Sequence, residues 1–295
     1  MRDPWRAAGK KAGGGIHGDG ETLRMSDLSR RALLLGLGSA MAVHATPLHA
    51  AETPLAAFAP AGTGSVGHER LDALLQRYVK PDGADYNRVD YRAFQRSGRS
   101  ELTAYLDALA AQDPKLLSRR EAHAYWINLY NAKTLDVVLE HYPVASIRKI
   151  DLGGGGLFKG GPWSKKIVTV AGTALSLDDI EHRIVRPLFG DPLSHYGLNC
   201  ASYSCPNLAT RAYTGDTLAA LLAQGARDYV NHPRGVAVSA GTITASKIYS
   251  WYAEDFGGAG RLKSHWKAFA APALGARIDK AGIGGYAYDW SLNDV

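Results

Sequence analysis

Leu71, Leu74, Leu75 and Tyr78 recur at a helical period, and Pro81-Asp82-Gly83 marks a stop. Tyr86 to Tyr91 reads as a short strand. Leu102, Tyr105, Leu106 and Leu109 form a second amphipathic stripe. Ser118-Arg119-Arg120-Glu121 is a capping box, and it opens a helix that runs to His141, before Pro143. Ala122, Tyr125, Trp126, Ile127, Leu129, Tyr130, Leu135 and Val138 make this helix apolar on almost every side, so it is expected at the centre of the core. Lys166 to Val170 is a strand followed by an Ala171-Gly172 turn. Ser176 then caps a helix from Leu177 to Val185, which Pro187 is expected to end. A helix over 215–230 precedes a hairpin folded about Gly241. Ser246 caps a short helix over 248–256. A further helix carries Trp266 and Phe269, and Tyr288 to Asn293 is strand-like. Helices outnumber strands. The expected class is α+β: a mostly helical single domain, with a buried central helix packed on a small, mainly antiparallel sheet.

Composition and charge divide the chain. Its 295 residues carry a net charge of +6, but residues 1–50 hold seven Lys/Arg against four Asp/Glu, so half of the excess lies there. The remainder is too mild and scattered to argue for nucleic acid. Residues 1–24 are rich in glycine and charge and read as disordered, or as an extension upstream of a true start at Met25. From there, paired Arg30-Arg31 precede an apolar run, Ala32 to Val43, and a small-residue zone around Ala50. The order of zones is that of a twin-arginine-type signal peptide over 25–50, and the run is too short to span a bilayer. Residues 51–64 read as a linker and 65–295 as one globular domain. The mature chain is thus expected in the periplasm or outside the cell, with no stable membrane anchor after cleavage. There its two cysteines meet an oxidising environment.

The densest reactive chemistry is His195-Tyr196-Gly197-Leu198-Asn199-Cys200-Ala201-Ser202-Tyr203-Ser204-Cys205-Pro206, which holds both cysteines. Read as a strand, His195 to Cys200 puts His195, Gly197 and Asn199 on one face. Cys205 precedes a proline, which favours the first position of a helix. That would make Cys205 an N-cap with a lowered thiol pKa. A thiolate at Cys205 with His195 as its base gives a nucleophile for acyl transfer or amide hydrolysis. A third group should orient the imidazole, and Glu181, Asn128 and Asp289 are the candidates. Two other readings stand beside this one. A Cys200–Cys205 disulfide would pin a loop in a non-catalytic binding module, with Trp126, Trp251 and Trp290 around it. Alternatively, His195, Cys200 and Cys205 supply three metal ligands, with Glu181 or His182 as a fourth, although the spacing is not that of common zinc modules.

Asn128 and Asn131, inside the central helix, either tie loops to it or orient a reacting group. The glycines at 153–156 and 160–161 suggest a mobile loop. They do not match a phosphate loop, so no nucleotide and no other cofactor is expected.

Five segments in order resemble a known family: Tyr125-Trp126-Ile127-Asn128-Leu129-Tyr130-Asn131-Ala132; Leu177-Asp178-Asp179-Ile180-Glu181-His182; His195 through Asn199-Cys200 to Ser204-Cys205-Pro206; Ser246-Lys247-Ile248 with Trp251-Tyr252 and Asp255-Phe256; and Tyr288-Asp289-Trp290-Ser291-Leu292-Asn293. Together they look like the bacterial and plant family called domain of unknown function 547, here as an exported bacterial member. The resemblance runs from about Glu121 to the C-terminus and implies no settled activity. It carries over Glu121, Asn128, Asn131, Glu181, His195, Cys200, Cys205 and Trp251 as site residues. Plant members add an N-terminal coiled-coil partner region, where this chain has its leader. The leading expectation is a thiol-dependent hydrolase or acyltransferase, with Cys205, His195, Glu181 and Asn128 in catalysis. Cys200, Glu121, Asn131 and Trp251 would bind a small-molecule or peptide substrate.

Overall fold

The computed structural model describes residues 57–83, 86–153 and 161–295. The N-terminal extension, the export leader, the first part of the linker and most of the glycine-rich loop lie outside the described residues. The rest of the expected linker is docked instead. Phe58 is fully buried with its ring 5.0 Å from Trp126, and Gly64 donates to the Leu116 carbonyl at 2.9 Å. A large aromatic side chain ahead of residue 65 joins the core because burying it stabilises by roughly 1.5–3 kcal/mol.

Helix α1 (Glu69–Tyr78) leads into a small antiparallel pair, β1 (Val79–Pro81) and β2 (Asn87–Val89). Next come α2 (Tyr91–Ser97), begun by the Asp90 side chain accepting from Ala93 N, and α3 (Arg99–Ala110). Helix α4 (Arg119–His141) is the expected central helix, and Ser118 caps it by accepting from Glu121 N. The reciprocal half of the capping box is replaced, because Ser118 N donates to the Gly64 carbonyl. Sixteen of its 23 residues are buried, as all-round apolarity requires.

A hairpin follows, β3 (Val168–Val170) and β4 (Thr173–Leu175), turned through Ala171 and Gly172, both at positive φ. Ser176 and Asp179 cap each other reciprocally. The next helix does not stop before Pro187. Residues Asp179–Val185 widen into a π-helix, and an α-helical turn, α5 (Arg186–Phe189), carries on to Gly190 in the left-handed region. Pro187 falls in the first turn of α5, directly after the widened π-helical ladder that ends with Arg186 N–H on the Glu181 carbonyl.

Helix α6 (Leu218–Asn231) precedes a three-stranded sheet. Within it, β5 (Val236–Ser239) pairs antiparallel with β6 (Thr242–Ser246), as the hairpin pattern predicts. Helices α7 (Ile248–Trp251), α8 (Leu262–Phe269) and α9 (Pro272–Lys280) lead to β7 (Gly282–Ala287). β7 joins β6 in parallel, with a bulge between Ile243 and Thr244. The α+β class holds, with small and mostly antiparallel sheets. No helix among the described residues is long and apolar enough to cross a membrane.

Two hydrophobic clusters make up the interior. The larger surrounds α4 and takes in Leu198; the smaller lies among α6, α8 and the three-stranded sheet and takes in Tyr196. The cysteine-bearing segment therefore runs along the seam between the two.

Candidate functional site

His195 lies in a 3-10 helix, Pro192–Tyr196, rather than a strand. Asp191 accepts from Leu193 N at 2.8 Å and Pro192 supplies a preset φ, so the helical start outweighs any alternation. His123 Nε2 and Ser194 Oγ, 2.8 Å apart, tie this turn to α4. Beyond it, Asn131 grips the chain twice. Its Nδ2 donates to the Gly197 carbonyl at 2.8 Å and its Oδ1 accepts from Asn199 N at 2.8 Å. Asn128 makes the same double bond to the backbone of Tyr213. Both amides thus hold loops to the central helix. Asn128, expected in catalysis, is 1% exposed.

Asn199 turns the chain that carries the sulfurs. Its Oδ1 accepts from Ala201 N and its Nδ2 donates to the Pro206 carbonyl. Ala201, the residue after Cys200, sits at φ 60°. A Cβ there meets the following carbonyl, and this costs roughly 1–2 kcal/mol. The C-terminal segment then zips onto the loop. Tyr203 N donates to the Ser291 carbonyl at 2.7 Å, Asn293 N to the Ala201 carbonyl at 3.1 Å and Asp289 N to Ser204 Oγ at 2.8 Å. This pairing delivers Tyr288 to the sulfur.

Cys200 is half-buried, and its Sγ lies 3.2 Å from both Ser202 Oγ and Tyr288 Oη. Ser202 in turn donates to Tyr288 Oη at 2.8 Å, leaving the tyrosine proton directed at sulfur. Both cysteines are free. The Cys200 thiol is drawn down to about 7, first by a hydrogen bond from the Cys205 thiol. Burial works against this, and the Ser202 and Tyr288 hydroxyls add to the pull. Cys205 is 4% exposed, and burial followed by its bond to Cys200 pushes it well above the ordinary thiol range. No helix follows Cys205; the chain after Pro206 is irregular up to α6. The expected N-cap is therefore absent, and with it the electrostatic reason for a reactive Cys205. Tyr288 is pushed up by burial and by the two sulfurs, so it keeps the proton it donates.

His195 is 4% exposed and its Nε2 lies 2.7 Å from Asp255 Oδ2. Arg186 reaches the same carboxylate with Nε at 2.6 Å and Nη2 at 2.9 Å, a two-pronged pair. Burial favours protonating Asp255, but the bonds from His195 and Arg186 outweigh it and hold the carboxyl far below the usual range. None of the three expected orienting groups takes this place. Glu181, Asn128 and Asp289 give way to Asp255, which follows the aromatic pair Trp251-Tyr252.

Tyr252 covers the imidazole. Its ring stacks on His195 with centroids 4.2 Å apart, and the guanidinium of Arg186 lies 4.9 Å from its centroid. Burial, then the charge and hydrogen bond of Glu181, push its hydroxyl well up, and the charge of Cys200 acts in the same direction. Glu181 stands on the π-helix, a form that recurs at functional sites. Trp251 is also brought in, its ring 4.9 Å from Tyr288 and 5.8 Å from Trp290. Glu121 is not. It is ten residues before Asn131 on α4, about 15 Å along the axis, and its Oε2 is buried without a hydrogen-bond partner.

Among the described residues no hydrogen bond joins His195 to either sulfur. Nor is any group of three or more His, Cys, Asp and Glu side chains among them placed to hold a metal ion. The expected ligand set fails because the His195 Nε2 is turned to Asp255 and the Cys205 sulfur accepts Cys200 N–H at 3.0 Å. Sequence reasoning gave no role to Tyr288, Ser202, Asp255 or Arg186. The first three lie within segments that carry the family resemblance, which was the available signal.

Fold and site together define an α+β domain with a partly exposed, acidified thiol and a carboxylate-held imidazole. Residues 114–230 match the family model described as "Protein of unknown function, DUF547", so the chain carries a DUF547 domain over that stretch. The match covers the central helix, the π-helix and both cysteines, whereas Trp251, Asp255 and Tyr288 lie beyond it. No curated protein and no solved structure matches the chain.

Proposed function

We propose that the protein is a thiol-dependent hydrolase or acyltransferase acting on an amide or ester, with Cys200 as its nucleophile. The observation that carries this reading is the Cys200 sulfur, 3.2 Å from the Ser202 and Tyr288 hydroxyls in a partly exposed residue, with its pKa drawn down to about 7. A thiolate attacks an acyl carbon where a thiol does not, and a pKa near ambient pH balances thiolate fraction against nucleophilicity. The sulfur forms a bond to the carbonyl carbon, and the Tyr288 hydroxyl, released from sulfur, is the nearest donor for the developing oxyanion. Collapse expels the amine or alcohol and leaves a thioester, which water or a second acceptor cleaves.

In this reading His195 is the acid and base. Asp255 takes its Nε2–H, so Nδ1 carries the lone pair for the leaving group and the incoming water. Tyr252 packs on the imidazole and hydrogen-bonds Glu181, and Trp251 lines the acyl side. Cys205 positions Cys200 rather than attacking. The substrate is a small molecule or peptide, and the place of action is the periplasm or cell exterior, if the leader works as an export signal.

Iodoacetamide labelling followed by peptide mapping tests the assignment. Labelling should fall on Cys200 in native protein, with a midpoint near pH 7, and Cys200→Ser should abolish it. Preferential labelling of Cys205, or a midpoint at the ordinary thiol value, would overturn it. A screen of thioester, ester and amide substrates with trapping of an acyl adduct on Cys200 then tests the reaction itself.

A further inference from the structure

We infer that Cys200 and Cys205 are a peroxide-reactive dithiol, in which Cys200 is oxidised to a sulfenic acid and Cys205 resolves it to an intramolecular disulfide. This concerns the same thiol as the proposed acyl chemistry but does not depend on it.

The two sulfurs are held together without a covalent bond. Cys200 N donates to Cys205 Sγ at 3.0 Å, and the Cys205 thiol donates to the Leu198 carbonyl of the same turn at 3.7 Å. The loop between them is already closed. Cys205 N donates to the Ser202 carbonyl at 3.0 Å, and Asn199 Nδ2 to the Pro206 carbonyl at 2.7 Å. A disulfide would cross-link a turn that the fold has formed, so little chain entropy opposes either state. Exposure then sets the order of events. Cys200 is partly exposed, while Cys205 is 4% exposed. A partly exposed thiol beside a second, buried cysteine is the arrangement of reversible thiol oxidation.

The chemistry balances with a hydroperoxide as oxidant. The Cys200 thiolate attacks the terminal peroxide oxygen, a sulfur–oxygen bond forms and the oxygen–oxygen bond breaks. The departing alkoxide, or hydroxide from hydrogen peroxide, takes a proton from the Tyr288 hydroxyl, and solvent returns one to the tyrosine. Cys205 next loses its proton and attacks the Cys200 sulfur. The sulfur–sulfur bond forms and hydroxide leaves, joining that proton as water. One hydroperoxide and two thiols become one alcohol or water, one further water and one disulfide. A dithiol reductant restores the pair by exchange.

The test treats the reduced full chain with one equivalent of hydrogen peroxide and maps the peptides without reduction. The expected result is loss of both titratable thiols, a single Cys200–Cys205 linked peptide and full recovery with dithiothreitol. In Cys205→Ser, oxidation should stop at a Cys200 sulfenic acid that dimedone captures. In Cys200→Ser, Cys205 should stay reduced. Sulfinic acid on Cys200 of the wild type with Cys205 still a free thiol would overturn the inference. So would two thiols surviving the peroxide, or oxidation of Cys205 at the wild-type rate when Cys200 is replaced. The wild-type measurement alone decides if a variant fails to fold. Because no acyl substrate enters the assay, failure of the hydrolase reading leaves this result unchanged.

Discussion

The backbone N–H of Cys200 donates to the sulfur of Cys205 at 3.0 Å, so one loop presents the first thiol and buries the second. The pair therefore splits: the outer thiol is acidified and the inner one is held protonated, and their titrations should be read as belonging to a coupled pair.

Tyr288 is the lever on that split. Its hydroxyl lies 3.2 Å from Cys200 Sγ, and a hydrogen bond to a charged group contributes about 1.5–3 kcal/mol. Tyr288→Phe removes that bond and keeps the ring against Trp251. The midpoint of Cys200 alkylation should rise by about one pH unit, the scale that roughly 1.4 kcal/mol sets. Stopped-flow alkylation across the pH range would measure it, and an unmoved midpoint would exclude Tyr288 as a source of the shift.

Stability should follow the same titration. Folding lowers Cys200 from an ordinary 9.0 to about 7, so between those values the unfolded chain binds more protons than the folded one. The contribution is present in full above pH 9 and lost as pH falls through 7. Urea denaturation should show stability rising across that window, and Cys200→Ser should flatten the rise. Cys205 is raised instead, so it opposes further gain in more alkaline solution.

Asp255 ties His195 to Arg186, and its removal leaves a partly buried guanidinium without its carboxylate. Asp255→Asn should destabilise the domain by about 2–3 kcal/mol at neutral pH, since each lost partner is charged. The sign in acid is also set. The folded carboxyl is depressed, so its contribution exists above its ordinary 3.8 and disappears as pH falls toward the folded value. Wild type and Asp255→Asn should therefore converge in stability below pH 3.8. Parallel curves down to strong acid would mean that the carboxylate is not what holds this corner.

The central helix was legible because its start, end and burial are all written locally: Ser118, the residues before Pro143, and apolar positions on every face. The 236–246 hairpin and the Ser176 cap were legible for the same reason. Strand β7 was not, since Gly282, Gly284 and Gly285 carry no strand preference and its partner β6 is fixed by parallel pairing across three intervening helices. The chemistry was half legible. Reactive residue types within twelve positions marked the loop, but which sulfur is acidified depends on Tyr288, 88 residues away, and on whether a helix follows Pro206. The partner of His195 lies 60 residues along the chain, and nothing near His195 points to it.

Three alanines at positive φ offer a comparison in which burial alone decides the outcome. Ala171 and Ala240 are exposed in hairpin turns, whereas Ala201 is 1% exposed beside Cys200. Glycine relieves the left-handed strain at each, worth roughly 1–2 kcal/mol, but widens the unfolded ensemble at a cost of about 0.4–1 kcal/mol. For Ala171→Gly and Ala240→Gly nothing else changes, so each should gain about 0.5–1 kcal/mol. Ala201→Gly also removes a buried methyl, worth about 0.8 kcal/mol, which brings the net effect near zero. Ala201→Val should instead lose stability by more than about 1 kcal/mol, because a β-branched side chain is a genuine outlier at this φ. Thermal denaturation of the four variants checks the ranking. A gain at Ala201→Gly equal to that at the exposed turns would mean that the buried methyl contributes nothing to holding the cysteine loop.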